Sequence, residues 1–329
     1  MSTLIGKDLE VGVAFEGTRA TAESAADKWQ RKVSATVVER AVHAIDESSR
    51  GVLETGEGRR VVQKYIEGEV SGPVHADAIG YYLANLYGVC VSSNVTGSIY
   101  SHVFTLGQNI QHPSLTMFAH DGSVQSNTYS GCMVSSLEIN VALDDYVRYT
   151  AGILGNTAAT STDTPSYDTE YDFIAHDVTV KMADTSGGLA AATAIKCKDL
   201  TLTWNPEVDR DHVIGGYVPD DIYNKGMMIE GSFTLNFGSE TYKDLFLGDD
   251  SKYMSVTITG ETDLGSGNYP SITLLLYKVQ IMDWNRSGDG SELVTEPISF
   301  RAFYNPTDSK QSQVTLVNLT SAYDEVPSS

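Results

Sequence analysis

The chain has 329 residues, enough for one large or two medium domains with real cores, and its 41% hydrophobic and 20% charged composition is globular rather than disordered. Its 22 Lys plus Arg stand against 43 Asp plus Glu, a formal net charge of -21 that disfavours binding to nucleic-acid phosphates or to an anionic membrane. Three widely spaced cysteines, Cys90, Cys132 and Cys197, supply neither a disulfide framework nor a metal knuckle, and read as small buried hydrophobes in a reducing compartment.

In chain order, residues 1–32 read as an N-terminal arm of the kind that docks on a neighbouring subunit. Charges stand where a secretory signal needs an apolar core, and no apolar run approaches the roughly 20 residues of a membrane span. A soluble protein made in a cytoplasm is therefore expected. A first β-rich unit covers 33–155. In it Asp46 ends one strand and opens a polar loop to Arg60 that carries Arg50, Arg59 and Arg60. The next strand holds Ile66-Glu67-Gly68, then Glu69 and Ser71. The spacing of Ile79, Tyr82, Leu83 and Leu86 predicts a short helix over 76–87. A strand at His112-Pro113-Ser114-Leu115-Thr116-Met117 precedes a hairpin from Cys132 to Leu154 that turns at Asp144-Asp145. Within that hairpin Leu137, Ile139 and Val141 alternate with Ser136, Glu138 and Asn140, the pattern of a strand with one dry and one wet face.

Residues 156–196 form a joint: a run rich in Thr, Ser and Asp to Asp172, an extra strand over 174–182 and a small-residue stretch over 186–194. A second β-rich unit covers 197–305. It starts with Leu200, Leu202 and Trp204 against Thr201 and Thr203, then enters a polar loop from Asp209 to Gly226 that carries Asp211, Asp220 and Asp221. The clearest alternation follows at 228–237, where Ile229, Phe233 and Leu235 point one way and Glu230, Ser232, Thr234 and Asn236 the other. A weaker helical pattern covers 239–247, and Gly265-Ser266-Gly267 reads as a hairpin tip. Beyond a last hairpin over 278–303, residues 306–329 are a polar tail. The expected class is mainly β, each unit being a β-sandwich with a short flanking helix.

The chain also repeats itself. Ile66-Glu67-Gly68 recurs as Ile229-Glu230-Gly231, 163 residues on, each triplet preceded by an Asp-initiated polar loop and followed by the helical segment. His112 to Met117 is echoed by Tyr269-Pro270-Ser271-Ile272-Thr273-Leu274, an offset of 157, and the hairpin at 132–154 by that at 278–303, an offset of about 146. Two copies of one unit are expected, with shorter loops in the second. The acidity is unequal between them: the net charge is -6 through Gly155 and -15 from Asn156 onward.

Reactive chemistry is sparse. His43, His75, His102, His112, His120, His176 and His212 show no HxH or HExxH spacing and no cysteine partner at ligand distance in sequence. No nucleophile elbow, Walker loop or dinucleotide fingerprint occurs. The carboxylate pairs at Asp144-Asp145, Asp220-Asp221 and Asp249-Asp250 lie at loops, where solvated turns are the ordinary reading and a Ca²⁺ site the lesser one. No enzyme activity, cofactor or metal is expected.

At the two triplets, the Pro-Ser-Leu-Thr strand, the segment Tyr129-Ser130-Gly131-Cys132-Met133-Val134-Ser135-Ser136-Leu137-Glu138-Ile139 and the opening Gly12-Val13-Ala14-Phe15-Glu16-Gly17-Thr18-Arg19-Ala20-Thr21, the chain resembles the tail tube proteins of long-tailed viruses of bacteria or archaea. The likeness runs over most of the chain. It implies a structural subunit of a virion tail, assembled in the host cytoplasm. Inner sheets of neighbouring subunits would join into a ring-shaped barrel, and stacked rings would conduct the genome during ejection. Two units per chain imply a homotrimer with pseudo-sixfold symmetry, with a hexamer as the alternative. Tape-measure, terminator and other tail proteins would be partners, and viral DNA would pass without specific binding.

In such a barrel the wet face lines the channel, which nominates Glu67, Glu69, Ser71, Glu138, Asn140, Glu230, Ser232, Thr234 and Asn236 as lumen-facing; carboxylates there would repel DNA. The alternative, that they form the outer face of an ordinary sandwich, stays open. The polar loops match the family's long inter-ring loop, which nominates Asp46, Arg50, Arg59 and Arg60 in one and Asp209, Asp211, Asp220 and Asp221 in the other as charges of opposite sign that pair ring to ring. A different class, a carbohydrate-binding or adhesin-like sandwich, would need exposed aromatics on a concave face, and the 18 tyrosines leave that open.

Overall fold

Alternation of apolar and polar residues does what period two requires: it lays the long segments into antiparallel ladders, many of them with one face buried. The computed structural model describes residues 5–323 apart from 32, 49, 50, 55 and 123. In chain order the elements are β1 (Leu9–Phe15), β2 (Lys28–Gln30), β3 (Ser34–Ala35), β4 (Val38–Asp46), β5 (Gly58–Pro73), α1 (Ile79–Tyr87), β6 (Gly88–Thr96), β7 (Ile99–Leu106), β8 (Leu115–Asp121), β9 (Gln125–Ala142), β10 (Arg148–Gly155) and β11 (Thr157–Thr160). They continue as β12 (Val178–Ala183), β13 (Asp199–Asn205), β14 (Val208–Asp211), β15 (Asp221–Asn224), β16 (Met228–Asn236), α2 (Thr241–Gly248), β17 (Lys252–Thr259), β18 (Ser271–Trp284), β19 (Thr295–Ala302) and β20 (Ser312–Asn318).

One continuous antiparallel sheet runs β4-β5-β10-β9-β13-β16-β19-β18. Its dry face carries Ile66, Val70, Leu137, Ile139, Ala151, Ile153, Leu202, Trp204, Ile229, Phe233 and Phe300, all buried. The long strands β9 and β18 each belong to two layers. Their first halves leave this inner sheet and pair outside it: β9 with β8 and β11, and β18 with β17 and β20. The outer strands are completed by β1 on β8, β12 on β17, and the β6-β7 hairpin on β20. Inner and outer strands share one apolar core.

The pairings recur in the same order. The set β4-β5-β10-β9 with β8 and β1 has the connections of β13-β16-β19-β18 with β17 and β12. Even the irregularities match: one extra residue bulges from β9 at Ser135 and from β18 at Met282, 147 residues on, and a second bulge follows on the outer half of each strand. The 3-10 turn Gly6–Asp8 before β1 has its counterpart in Ala175–Asp177 before β12, and in both an aspartate accepts from the backbone N–H three residues earlier, Asp8 from Ile5 at 3.0 Å and Asp177 from Ile174 at 2.9 Å. One sequence echo is corrected. Leu115 lies on β8, whose place is taken by β17, whereas Ile272 lies on β18, so the two Pro-Ser stretches occupy different strands. A short proline-containing match reflects strand-start chemistry that several strands share.

The helix expected over 76–87 forms at Ile79–Tyr87 and is buried along its whole length, because it lies among strands on every side rather than on a surface. Its tyrosines bring polar handles into the core: Trp204 Nε1 donates to Tyr87 Oη at 3.1 Å, and Tyr87 Oη meets Ser312 Oγ at 2.9 Å. The polar loops are partly ordered hairpins. Residues 58–60 already belong to β5, and the 209–226 segment contains the β14-β15 ladder.

The chain after β1 is pinned by a buried carboxylate. Glu16 is 4% exposed and accepts from the Thr116 hydroxyl at 3.0 Å, from the N–H groups of Gly131 and Ala20 at 2.7 Å, and from the Ser114 hydroxyl. Burial raises its pKa above the ordinary value, with these hydrogen bonds opposing. The folded chain thus holds a proton that the unfolded chain has released, and this group's contribution to stability falls as pH rises through the folded value. Glu16→Gln is expected to cost about 2 kcal/mol near neutrality, because an amide nitrogen cannot accept those donors. The deficit should be larger near pH 5 than at pH 7, since only the parent protein gains from protonating Glu16; urea unfolding at the two pH values measures it.

Candidate functional site

The wet face of the inner sheet is a broad polar surface. Register, not sequence distance, builds it. Across the strands Ser71, Thr150, Glu138, Thr203, Glu230 and Arg301 stand side by side, and the next row runs Arg148, Asn140, Thr201, Ser232, Ser299 and Asp283. Glu67 and Glu69 extend the face on β5, and Thr234 and Asn236 extend it on β16. All nine residues nominated from alternation therefore lie on one face of one sheet, and none is buried.

Two features of that face lie beyond the nine nominated residues. First, arginines interleave with the acids: Arg301 Nη1 lies 3.8 Å from Glu230, and Arg210 Nη1 lies 4.0 Å from Glu67 while its guanidinium stacks over the Tyr65 ring at 3.9 Å. The alternation of β19 carries the signal that would have found Arg301, since Ser299 and Arg301 oppose the buried Ile298 and Phe300. Second, the face is knit across β9 and β13, where Asn140 Nδ2 donates to Thr201 Oγ1 at 3.1 Å. These two strands belong to the first and the second half of the chain.

The sheet is open. Among the described residues β4 pairs only with β5 on this sheet, and β18 beyond Val279 pairs only with β19. Val38, Val42 and Met282 are 39%, 40% and 49% exposed on these edges. An unpaired edge exposes a row of backbone donors and acceptors that recruits another strand.

The loop charges have separate surroundings. Asp46 ends β4 and accepts from Ser48 N–H at 2.9 Å, which holds its carboxyl below the ordinary value. Arg59 and Arg60 open β5 beside Ile45 and Ala44, and Arg50 lies outside the described residues. The second loop folds back on its own chain. Asp221 bonds to Arg19 at 2.8 Å and to Gln111 at 2.6 Å, Asp209 bonds to Lys225 at 2.8 Å, and Lys64 N–H donates to Tyr217 O at 2.6 Å. Asp211 and Asp221 face each other across the β14-β15 ladder, with Asp220 beside them.

Among the described residues no cluster of three or more His, Cys, Asp or Glu side chains could hold a metal ion, and no helix is long and apolar enough to cross a membrane. The cysteines are unpaired with one another. His102 is bonded to Ser92 at 2.9 Å and Asn318 at 3.1 Å, and His112 to backbone carbonyls, so both serve the packing. The exposed tyrosines Tyr146, Tyr167, Tyr217, Tyr269 and Tyr304 come from separate segments of the chain.

A mainly antiparallel β protein with an open polar sheet leaves strand edges that can accept another strand. A family model described as phage tail tube protein matches residues 6–302. The chain belongs to the phage tail tube protein family and is a structural component of a virus tail. A comparison with curated proteins finds no match.

Proposed function

We propose that this chain is the ring-forming subunit of a tail tube, and that it contains two copies of one tube unit, centred on residues 33–155 and 197–305 with the arm, joint and tail around them. The observation that carries the reading is the recurrence of the whole pairing order, with both bulges of β9 repeated on β18 147 residues later. Bulges at matched positions are not produced by alternation alone. The counterpart turns before β1 and β12 support a unit that begins earlier than residue 33, within the arm.

Magnitude favours one ring size. Both units share one continuous ladder through β9 and β13, so each chain contributes eight inner strands. Three chains close a barrel of about 24 strands, which at roughly 4.8 Å spacing and about 40° tilt is on the order of 50 Å between backbones. After side chains are subtracted, that leaves room for one DNA duplex. Six chains would make a barrel of about twice that width, far more than a duplex needs. The trimer with pseudo-sixfold symmetry is therefore preferred.

In this ring the wet face lines the channel. Glu67, Glu69, Ser71, Glu138, Asn140, Glu230, Ser232, Thr234 and Asn236 face the passing genome, and the excess of carboxylates over arginines on this face keeps it from adhering. Rings stack through the 46–60 and 209–226 segments, with Arg59 and Arg60 of one ring near the acidic hairpin of the next. Tape-measure and terminator proteins set the tube's length and end, and assembly takes place in the host cytoplasm. Negative-stain microscopy of the purified protein is expected to show rings or hollow tubes with threefold order, and tubes of Arg59→Glu/Arg60→Glu protein should be shorter and more salt-sensitive. A strictly monomeric protein across salt and concentration would overturn the assembly reading, and unchanged tubes would remove the loop charges from it.

A further inference from the structure

The chain contains a template for its own closure. Where its halves meet, β9 and β13 pair with Leu137 opposite Trp204, Glu138 opposite Thr203, Ile139 opposite Leu202 and Asn140 opposite Thr201. The counterpart of β9 is the end of β18, and the counterpart of β13 is the β3-β4 stretch. Both correspondences are fixed by neighbours rather than by resemblance. On one side, the bulges at Ser135 and Met282 and the facing strands β10 and β19 align Leu137 with Trp284 and Asn140 with Ser287. On the other, a Cβ placed on Gly68 would stand 2.5 Å from the Thr36 carbonyl oxygen, and one placed on Gly231 would stand 2.6 Å from that of Thr201. The same close approach therefore aligns Thr36 with Thr201 and Glu39 with Trp204.

Both counterparts are unpaired on the relevant edge among the described residues, and the ladder of β18 with β19 continues past Trp284, through Asn285 N–H to Pro297 O at 3.3 Å and Ser287 N–H to Thr295 O at 2.9 Å. We propose that residues 283–287 of one copy pair antiparallel with residues 36–40 of a second copy, with Trp284 opposite Glu39, Asn285 opposite Val38 and Ser287 opposite Thr36, repeating between chains the ladder that joins the halves within one. The proposal rests on the ring reading above and names its seam. Charge is complementary in this register. Asp283 falls opposite Arg40, and Arg286 falls diagonal to Glu39, placements that stabilise cross-strand pairs. Slipping the register by one residue would put Asp283 opposite Glu39 and turn each facing side chain to the other side of the sheet.

The test uses Asn285→Cys with Val38→Cys in full-length protein carrying Cys90→Ser and Cys197→Ser. Opposed cross-strand Cβ atoms lie close enough for a disulfide after slight adjustment. Mild oxidation is expected to convert most of the monomer band into a covalent trimer, while Asn285→Cys with Glu39→Cys, shifted by one residue, leaves the monomer. A second arm needs no cysteine: Asp283→Arg or Arg40→Asp alone should dissolve rings, and the two together should restore them. Rings visible by microscopy with no cross-link from the in-register pair and no rescue by the charge swap would overturn this seam and leave the tube intact. Absence of rings in the parent protein would overturn the tube reading together with its seam.

Discussion

Trp204→Ala is expected to lower the free energy of unfolding by about 4 kcal/mol, the range for deleting a fully buried tryptophan. Trp204 is 1% exposed and stands on β13 opposite Leu137 of β9, at the joint between the two halves. Its loss leaves a cavity between strands that the surrounding ladders hold apart, so little of it can collapse. The loss also strips Tyr87 of the indole donor at 3.1 Å, although Ser312 still reaches that hydroxyl at 2.9 Å. Trp204→Phe separates the two effects: it retains most of the volume and should cost about 1–2 kcal/mol. Urea denaturation of all three proteins measures this, and a cost below about 1 kcal/mol for Trp204→Ala would mean that the joint does not depend on this side chain. Because Trp204 ties β13 to α1 through Tyr87, the alanine variant should also assemble poorly even where it remains folded.

The triple variant Glu69→Lys, Glu138→Lys, Glu230→Lys should still form tubes, yet tubes that hold DNA. These side chains are exposed on the wet face, so their replacement disturbs little packing. Glu230 lies near Arg301, at 3.8 Å, and loses only a solvent-exposed ion pair, worth little in stability. Each lysine that neutralises a phosphate releases counterions, so retention of duplex DNA should fall steeply with salt, by a slope of about 0.9 per contact on logarithmic axes. Co-sedimentation of tubes with DNA fragments between low and physiological salt reads the effect, with the parent tubes retaining none. If parent and variant tubes behave alike, the wet face does not line the channel. Arg148 and Arg301 already stand on the face that carries Glu67, Glu69, Glu138, Glu230 and Asp283, so a few cations among more numerous acids are compatible with the proposed passage.

Much of the architecture was readable from residues alone. Ile229, Phe233 and Leu235 against Glu230, Ser232, Thr234 and Asn236 specify a strand with a wet and a dry face, because side chains in a strand alternate whatever their neighbours are. The strands of the hairpins at 132–154 and 278–303 follow from the same alternation. The sequence predicts an N-terminal docking arm, yet Leu9–Phe15 forms β1 along β8 of the same chain. The signal that would have found it is an Ile followed three residues later by Asp, present at Ile5 and Ile174, where the aspartate bonds back to the isoleucine N–H and starts each strand.

Asp221 shows the converse. As one of several loop carboxylates it carried no mark in the chain, and only folding set it against Arg19, about 200 residues away in sequence. What the sequence by itself determined is which residues share a face and where the helices lie, since these depend on local periodicity. What only the tertiary structure decided is which strand lies beside which, and hence that β9 meets β13 while β4 and the end of β18 stay open. The physical reason is that ladder hydrogen bonds are made by the backbone, which is chemically the same at nearly every residue; partner and register are selected by how the whole set of faces closes over one core.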